Sequence, residues 1–112
     1  MISQLDDLQL RVGMWARRNF PSDLARLRLR IALGVCEEAG ELAHAVLKRD
    51  QGIRGTDEEH QAAAMDAVGD VVVYLMNMCD CEGWSLAEII SDTVASVTKR
   101  DWVASPRDGV TP

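Results

Sequence analysis

Two short acidic runs carry the residues of this sequence that could do chemistry. They read Glu37-Glu38-Ala39-Gly40-Glu41 and Asp66-Ala67-Val68-Gly69-Asp70. On an α-helix each residue advances about 100°, so the three glutamates of the first run share one face and the two aspartates of the second lie about 40° apart. Like charges at these spacings repel each other unless a cation binds or their pKa values rise.

A divalent cation is the ligand that these carboxylates favour. If the two helices pack antiparallel, both acidic faces meet and offer the all-oxygen ligation that suits Mg²⁺ or Mn²⁺. Such a cation can grip a triphosphate, polarise phosphoryl oxygens and activate water, while one carboxylate acts as base. One acidic turn alone is more typical of a solvated helix face. Two acidic turns inside otherwise apolar helices favour the metal site.

Five further residues are candidates for binding a substrate. Asn77 lies two turns beyond the second acidic run, on the same stripe. Lys48 lies two turns beyond the first run, and Lys99 and Arg100 follow the last helix. These cations could neutralise phosphate, or they could simply complement the helix dipoles. Trp15 is the preferred candidate for stacking on a base, although tryptophan at helical spacing is more often core or interface.

A histidine next to the first run raises a different metal chemistry. Glu41-x-x-His44 has the spacing used by ferritin-like di-iron bundles, which need two such motifs and two further glutamates. Asp57-x-x-His60 is the nearest second copy, but it lies at a helix start outside the apolar stretch. The di-iron interpretation is therefore disfavoured, and His44 is assigned to packing or to support of the metal ligands.

The apolar spacing predicts an all-α fold of four helices joined by short turns. The first helix is predicted to run from near Ser3 to before Pro21, and the second from an N-cap at Ser22 to around Gly52. The third is predicted to run from the capping box Thr56-x-x-Glu59 to Gly83, and the fourth from the capping box Ser85-x-x-Glu88 to about Trp102. The helices could form an up-and-down bundle, or the long second and third could form an antiparallel hairpin at a dimer centre. Residues 1–103 form one domain in this interpretation, and 104–112 a polar tail.

Composition limits the partners. A length of 112 residues suits one domain, and the net charge of -6 argues against binding nucleic acid. No apolar run approaches the roughly 20 residues of a membrane span, and Met1–Asp7 does not resemble a secretion signal, so a cytoplasmic protein is expected. The three cysteines, Cys36, Cys79 and Cys81, lie in apolar helical patterns and are expected to be reduced core residues.

The acidic runs resemble the motifs of the MazG-like all-α nucleoside triphosphate pyrophosphatases. That family carries Glu-Glu-x-x-Glu on one helix and Glu-x-x-Asp on the next. The matching segments are Glu37–Leu42, Gly69-Asp70-Val71, the surrounding Glu41–Ala45 and the ending Lys99-Arg100-Asp101-Trp102. The resemblance extends over roughly Leu8 to Trp102.

The resemblance implies hydrolysis of a nucleoside triphosphate, most simply a deoxynucleoside triphosphate in pool housecleaning, to the monophosphate and pyrophosphate. It implies Mg²⁺ as cofactor, with Mn²⁺ as substitute, and a homodimer or homotetramer. By similarity Glu38, Glu41 and Asp70 bind metal, Glu37 is a ligand or the base, and Lys99 or Arg100 contacts phosphate. Glu37 and Glu38 are thus the catalytic candidates.

The sequence departs from the family pattern at Ala67, where the second motif has its glutamate. Asp66 stands one place earlier and can reach the same cation by helix geometry, though with a shorter side chain. The predicted metal set is therefore Glu38, Glu41, Asp66 and Asp70. A non-enzymatic helical interaction module and a phosphoribosyl-ATP pyrophosphatase on the same fold are the alternatives.

Overall fold

The computed structural model describes residues 3–112, and this part of the chain is all-helical, as predicted. Met1 and Ile2, which belong to the N-terminal stretch considered above, lie outside the described residues. The helices are α1 (Gln4–Asn19), α2 (Leu24–Gln51), α3 (Asp57–Glu82) and α4 (Leu86–Val97). No strand occurs between residues 3 and 112.

Local capping explains most helix ends. Ser3, Thr56 and Ser85 accept hydrogen bonds from the backbone of the first turns of α1, α3 and α4, which confirms the predicted starts. Gly52 and Gly83 end α2 and α3 in the left-handed conformation, with φ of 68° and 75°.

Two predicted ends were wrong. Asp23, and not Ser22, caps α2, because its carboxylate accepts the backbone N–H of Arg26 at 2.9 Å. The fourth helix ends at Val97 and not near Trp102. Tighter turns follow it, with backbone bonds from Lys99 to Ser96 and from Arg100 to Val97.

The helices α2 and α3 form a long antiparallel hairpin. Arg28 pairs with Glu82 at one end, and Arg49 pairs with Asp57 at the other. Between these pairs the backbone of Gly34 approaches the ring of Tyr74 so closely that a Cβ at position 34 would lie 2.3 Å from its Cε1. Among the described helices α2 packs only against α3, so the chain does not close into an up-and-down bundle.

The core sits where α1 and α4 pack against the C-terminal half of α3. Met76, Cys79 and Leu86 are buried there, with partly buried side chains of α1 packed against them. Gln9 joins the elements, since its side chain donates to the carbonyl of Trp84 and accepts the backbone N–H of Leu86. This end of the molecule holds the hairpin in place.

The C-terminal segment folds back on itself. The backbone N–H of Asp101 donates to the carbonyl of Gly109 at 2.8 Å, and Ser105 inside this loop is buried. Gly109 has a φ of 80°, and a Cβ there would lie 2.9 Å from the Cβ of Arg100. The polar tail predicted from Ala104 onwards is thus joined to Asp101 by hydrogen bonds.

Much apolar surface is exposed in the single chain. The radius of gyration is 17.6 Å, against about 13 Å for a compact chain of this length. The exposed large apolar side chains of α2 and α3 are Leu24, Leu29, Leu33, Val46, Leu47, Met65, Val68, Val73 and Leu75. Cys36 is also exposed, whereas a core position was expected, because no second helix covers this side of α2.

Helix α3 is long and strongly apolar. The sequence predicts no membrane span, yet α3 could cross a membrane by its length and hydropathy alone. Core helices of soluble proteins meet the same criteria. In this chain α3 packs against α1, α2 and α4 and carries Asp66, Asp70 and Asn77.

Candidate active site

The two acidic runs face each other across a cavity of about 650 Å³ between α2 and α3, here called the acidic cavity. It is lined by Glu37, Glu38, Glu41, His44, Ala45, Arg54, Glu59, His60, Ala63, Asp66, Ala67 and Asp70. The antiparallel packing of α2 on α3, with an ion pair near each end of the hairpin, brings the runs opposite each other. All five predicted carboxylates therefore line one cavity.

Glu38 is the most perturbed of these carboxylates. It is half-buried, as is Asp70, while Glu37, Glu41 and Asp66 are exposed at the rim. Loss of hydration raises the pKa of Glu38, and the charge of Asp70 and then of the other three carboxylates raises it further. The cavity thus concentrates negative charge around Glu38.

These five carboxylates have no partner among the side chains of the described residues. Within residues 3–112 none of them accepts a side-chain hydrogen bond or forms an ion pair (Glu37, Glu38, Glu41, Asp66 and Asp70). The nearby acidic residues at the ends of the hairpin are paired with arginines. Repulsion within the cavity is therefore relieved by solvent or by a ligand, and not by the described chain.

The donor set fits Mg²⁺ in chemistry. Carboxylate oxygens are the ligands that Mg²⁺ prefers, and it is usually held by one or two carboxylates together with water and substrate phosphates. In residues 3–112 no three His, Cys, Asp or Glu side chains converge on one point as a metal cage would require. An open arrangement completed by phosphate needs no such cage.

Position 67 differs from position 66 in its surroundings. Ala67 is 3 % exposed and packed in the hairpin interface, whereas Asp66 is exposed at the rim. Both line the acidic cavity. Asp66 therefore lies beside the opposing glutamates, in reach of a ligand that enters from solvent.

A second cavity of about 390 Å³ adjoins the first and is here called the aromatic cavity. Its lining residues are Trp15, Ala16, Phe20, Leu27, Arg30, Ile31, Glu38, Asp70, Tyr74 and Asn77. Trp15 and Phe20 meet edge to face, with ring centroids 5.6 Å apart. Glu38 and Asp70 line both cavities and so mark their junction.

The predicted substrate-binding residues divide into two groups. Trp15 and Asn77 line the aromatic cavity. Lys48 lines neither cavity and donates to the side-chain oxygen of Gln51 at 2.8 Å. Lys99 and Arg100 follow α4, which packs on α1 and α3, and they line neither cavity within the described chain.

Three polar residues at the α2–α3 turn also line the acidic cavity, although their spacing in the sequence does not assign them to a site: Arg54, Glu59 and His60. His60 is only 8 % exposed, and its Nε2–H donates to the carbonyl of Ile53 at 2.8 Å. The Asp57-x-x-His60 spacing was noticed but placed outside the site. The antiparallel register of the hairpin, which brings this turn beside the first run, was the signal that would have included it.

Comparisons of the chain with known protein families, curated proteins and solved structures found no match. The residues and geometry of the two cavities are therefore the basis of the function proposed below.

Proposed function

We propose that this protein is a Mg²⁺-dependent nucleoside triphosphate pyrophosphohydrolase, which cleaves a nucleoside triphosphate to the monophosphate and pyrophosphate. One observation carries the proposal: unpaired carboxylates from two facing helices line a cavity that adjoins an aromatic one. Charged groups without structural partners are costly to bring together, so their assembly favours a role in binding. The MazG-like motifs in the sequence point to the same activity.

Four carboxylates would hold the metal: Glu38, Glu41, Asp66 and Asp70. Bound Mg²⁺, or Mn²⁺ in its place, would polarise the phosphoryl oxygens and lower the pKa of a water molecule. Glu37 or Glu38 would accept the proton of that water.

The aromatic cavity would hold the nucleoside. Trp15 and Tyr74 are aromatic residues in its lining that could stack on a base, and Asn77 can both donate and accept hydrogen bonds at a base edge. Because Glu38 and Asp70 lie at the junction of the two cavities, a nucleoside in one cavity places its first phosphate beside them. A deoxynucleoside triphosphate is the proposed substrate, and cytoplasmic housecleaning of nucleotides the proposed role.

A second copy of this chain is the proposed partner. The open side of α2, the expanded radius of gyration and the exposed apolar side chains of the hairpin leave more unburied surface than a compact monomer has. A homodimer or homotetramer would cover it. Sedimentation equilibrium at micromolar concentration should give a mass of at least twice 12.4 kDa, and a monomer would refute this arrangement.

The test of the activity is a screen of canonical and modified triphosphates, with monophosphate and pyrophosphate measured separately. Product formation should require Mg²⁺ or Mn²⁺ and stop when a chelator is added. Phosphoribosyl-ATP belongs in the same screen, because its preferential cleavage would reassign the substrate. A protein that releases no pyrophosphate from any of them, and is not stabilised by Mg²⁺ with nucleotide in a melting assay, would be a non-enzymatic helical module.

A further inference from the structure

We propose that Arg54 binds the terminal phosphate of the substrate and makes the site selective for triphosphates over diphosphates. This inference rests on the proposed function and adds to it the determinant of phosphate-chain length. Among the side chains that line the acidic cavity within residues 3–112, Arg54 is the one lysine or arginine. Six carboxylates line the same cavity.

The position of Arg54 along the cavity gives its role. The junction at Glu38 and Asp70 lies at one end of the acidic cavity, and the α2–α3 turn lies at the other. His60, beside that turn, is about 9 Å along the α3 axis from Asp66 and about 15 Å from Asp70. A phosphate chain that starts at the junction and extends along the cavity brings its last phosphate closest to the turn that carries Arg54.

Within the described chain, Arg54 has an unusual backbone conformation, and its side chain is free to bind a ligand. It has a φ of 63°, and it is the one non-glycine residue with positive φ in the described chain. That left-handed conformation is unfavourable for a residue with a Cβ. Its guanidinium forms no ion pair or side-chain hydrogen bond within residues 3–112, although the nearby Arg49 is bound to Asp57.

His60 anchors the turn that carries Arg54 through a hydrogen bond to its backbone. A carbonyl oxygen can only accept, so the 2.8 Å bond to Ile53 places the proton of His60 on Nε2. The ring is 8 % exposed and lines the cavity. The backbone of Ile53 is thereby hydrogen-bonded to a side chain of α3, which positions the backbone of the adjacent Arg54 at the cavity wall.

The experiment compares hydrolysis of a nucleoside triphosphate and the matching diphosphate by the wild type, Arg54→Gln, Arg54→Gly and the control Arg11→Gln. Arg11 is exposed on α1, lines neither cavity and loses the same charge. Both Arg54 variants should lose at least tenfold in kcat/KM for the triphosphate, mainly through KM, and less than twofold for the diphosphate. Arg11→Gln should match the wild type on both.

The two Arg54 variants separate binding from folding. Glycine accepts the positive φ, so Arg54→Gly should melt about 4 °C above Arg54→Gln while losing the same selectivity. An unchanged ratio of triphosphate to diphosphate activity in both variants would overturn the role of Arg54 and leave the proposed function intact. A wild type that hydrolyses neither substrate would overturn the proposed function, and this inference with it.

Discussion

Acidic side chains near the middle of α3 and at its C-terminal end have different partners. At its C-terminal end Asp80 and Glu82 are paired with Arg17 and Arg28, beside the buried core. Near its middle Asp66 and Asp70 face three glutamates of α2 with no basic partner among the described residues. On α3, Asp80 and Glu82 are thus neutralised by arginines, whereas Asp66 and Asp70 lie opposite further carboxylates.

The pKa shifts express this difference. The hydrogen bond from Arg28 lowers the pKa of Glu82. Loss of hydration and four neighbouring carboxylates raise the pKa of Glu38. Since the two glutamates lie in the same hairpin, the contrast comes from their partners and not from the helix that carries them.

The largest expected effect is the loss of activity when the unpaired end is changed. Glu38→Gln and Asp70→Asn each remove a carboxylate at the junction of the two cavities, and kcat/KM for the triphosphate should fall about 100-fold or more. Steady-state kinetics with pyrophosphate detection measures this loss. Glu82→Gln is the matched control, because it removes one carboxylate from the paired end.

The control should show the reverse pattern. Glu82→Gln should keep near-wild-type activity and unfold at lower denaturant concentration, because Arg28 loses its charged partner. Glu38→Gln should unfold at equal or higher denaturant concentration, because repulsion within the acidic cavity falls. Equal activity losses in both variants would mean that the unpaired Glu38 and the paired Glu82 do not differ in function.

The second prediction concerns the register that brings the acidic runs together. Gly34→Ala adds a Cβ 2.3 Å from Tyr74 Cε1, so α2 and α3 must separate, at a cost of about 1–3 kcal/mol in the free energy of unfolding. Gly40→Ala is the matched control, since a Cβ there meets no atom within 4 Å, and it should stabilise α2 by up to about 1 kcal/mol. Urea unfolding at one fixed protein concentration measures both.

The substitutions at positions 34 and 40 also test whether the site depends on the hairpin. Gly34→Ala should reduce activity together with stability, whereas Gly40→Ala should leave the facing of the two acidic runs unchanged. If Gly34→Ala proved as stable as the wild type, the close contact between α2 and α3 at this point would be wrong.

Much of the fold follows from local sequence signals. Helix starts are predicted by the N-cap residues Ser3, Thr56 and Ser85, and helix ends by Gly52 and Gly83. These predictions succeed because capping depends on the few residues around each helix terminus. The end of α4 was misjudged, since the turns from Thr98 onwards depend on contacts between Asp101 and Gly109 that no helical periodicity encodes.

The site was only partly predictable, because some of its residues come together through contacts between distant parts of the chain. The carboxylates on one helix face were found because their spacing is local. Arg54 and His60 belong to the site through the antiparallel packing of α2 on α3, which depends on distant residues. Lys48 was favoured by its spacing on α2, yet its amine bonds Gln51 instead of lining the cavity.

The smallest expected effect is an opposite pH dependence of the contributions of Glu38 on α2 and Glu82 on α3 to the stability of the hairpin. The raised pKa of Glu38 means that its protonated form is favoured by folding, so the stability it contributes is present below its ordinary value of 4.5 and is lost as pH rises through the folded pKa. The lowered pKa of Glu82 has the reverse sign: its contribution is present above 4.5 and is lost as pH falls through the folded pKa.

Urea unfolding of the wild type, Glu38→Gln and Glu82→Gln from acidic to neutral pH, without divalent cations, separates the two contributions. The stability of Glu38→Gln relative to the wild type should increase as pH rises, and that of Glu82→Gln should decrease. Added Mg²⁺ should diminish the first difference, because the proposed cation offsets the repulsion around Glu38, and leave the second unchanged. A Glu38→Gln profile parallel to that of the wild type would show that the carboxylates of the acidic cavity do not interact in the folded protein.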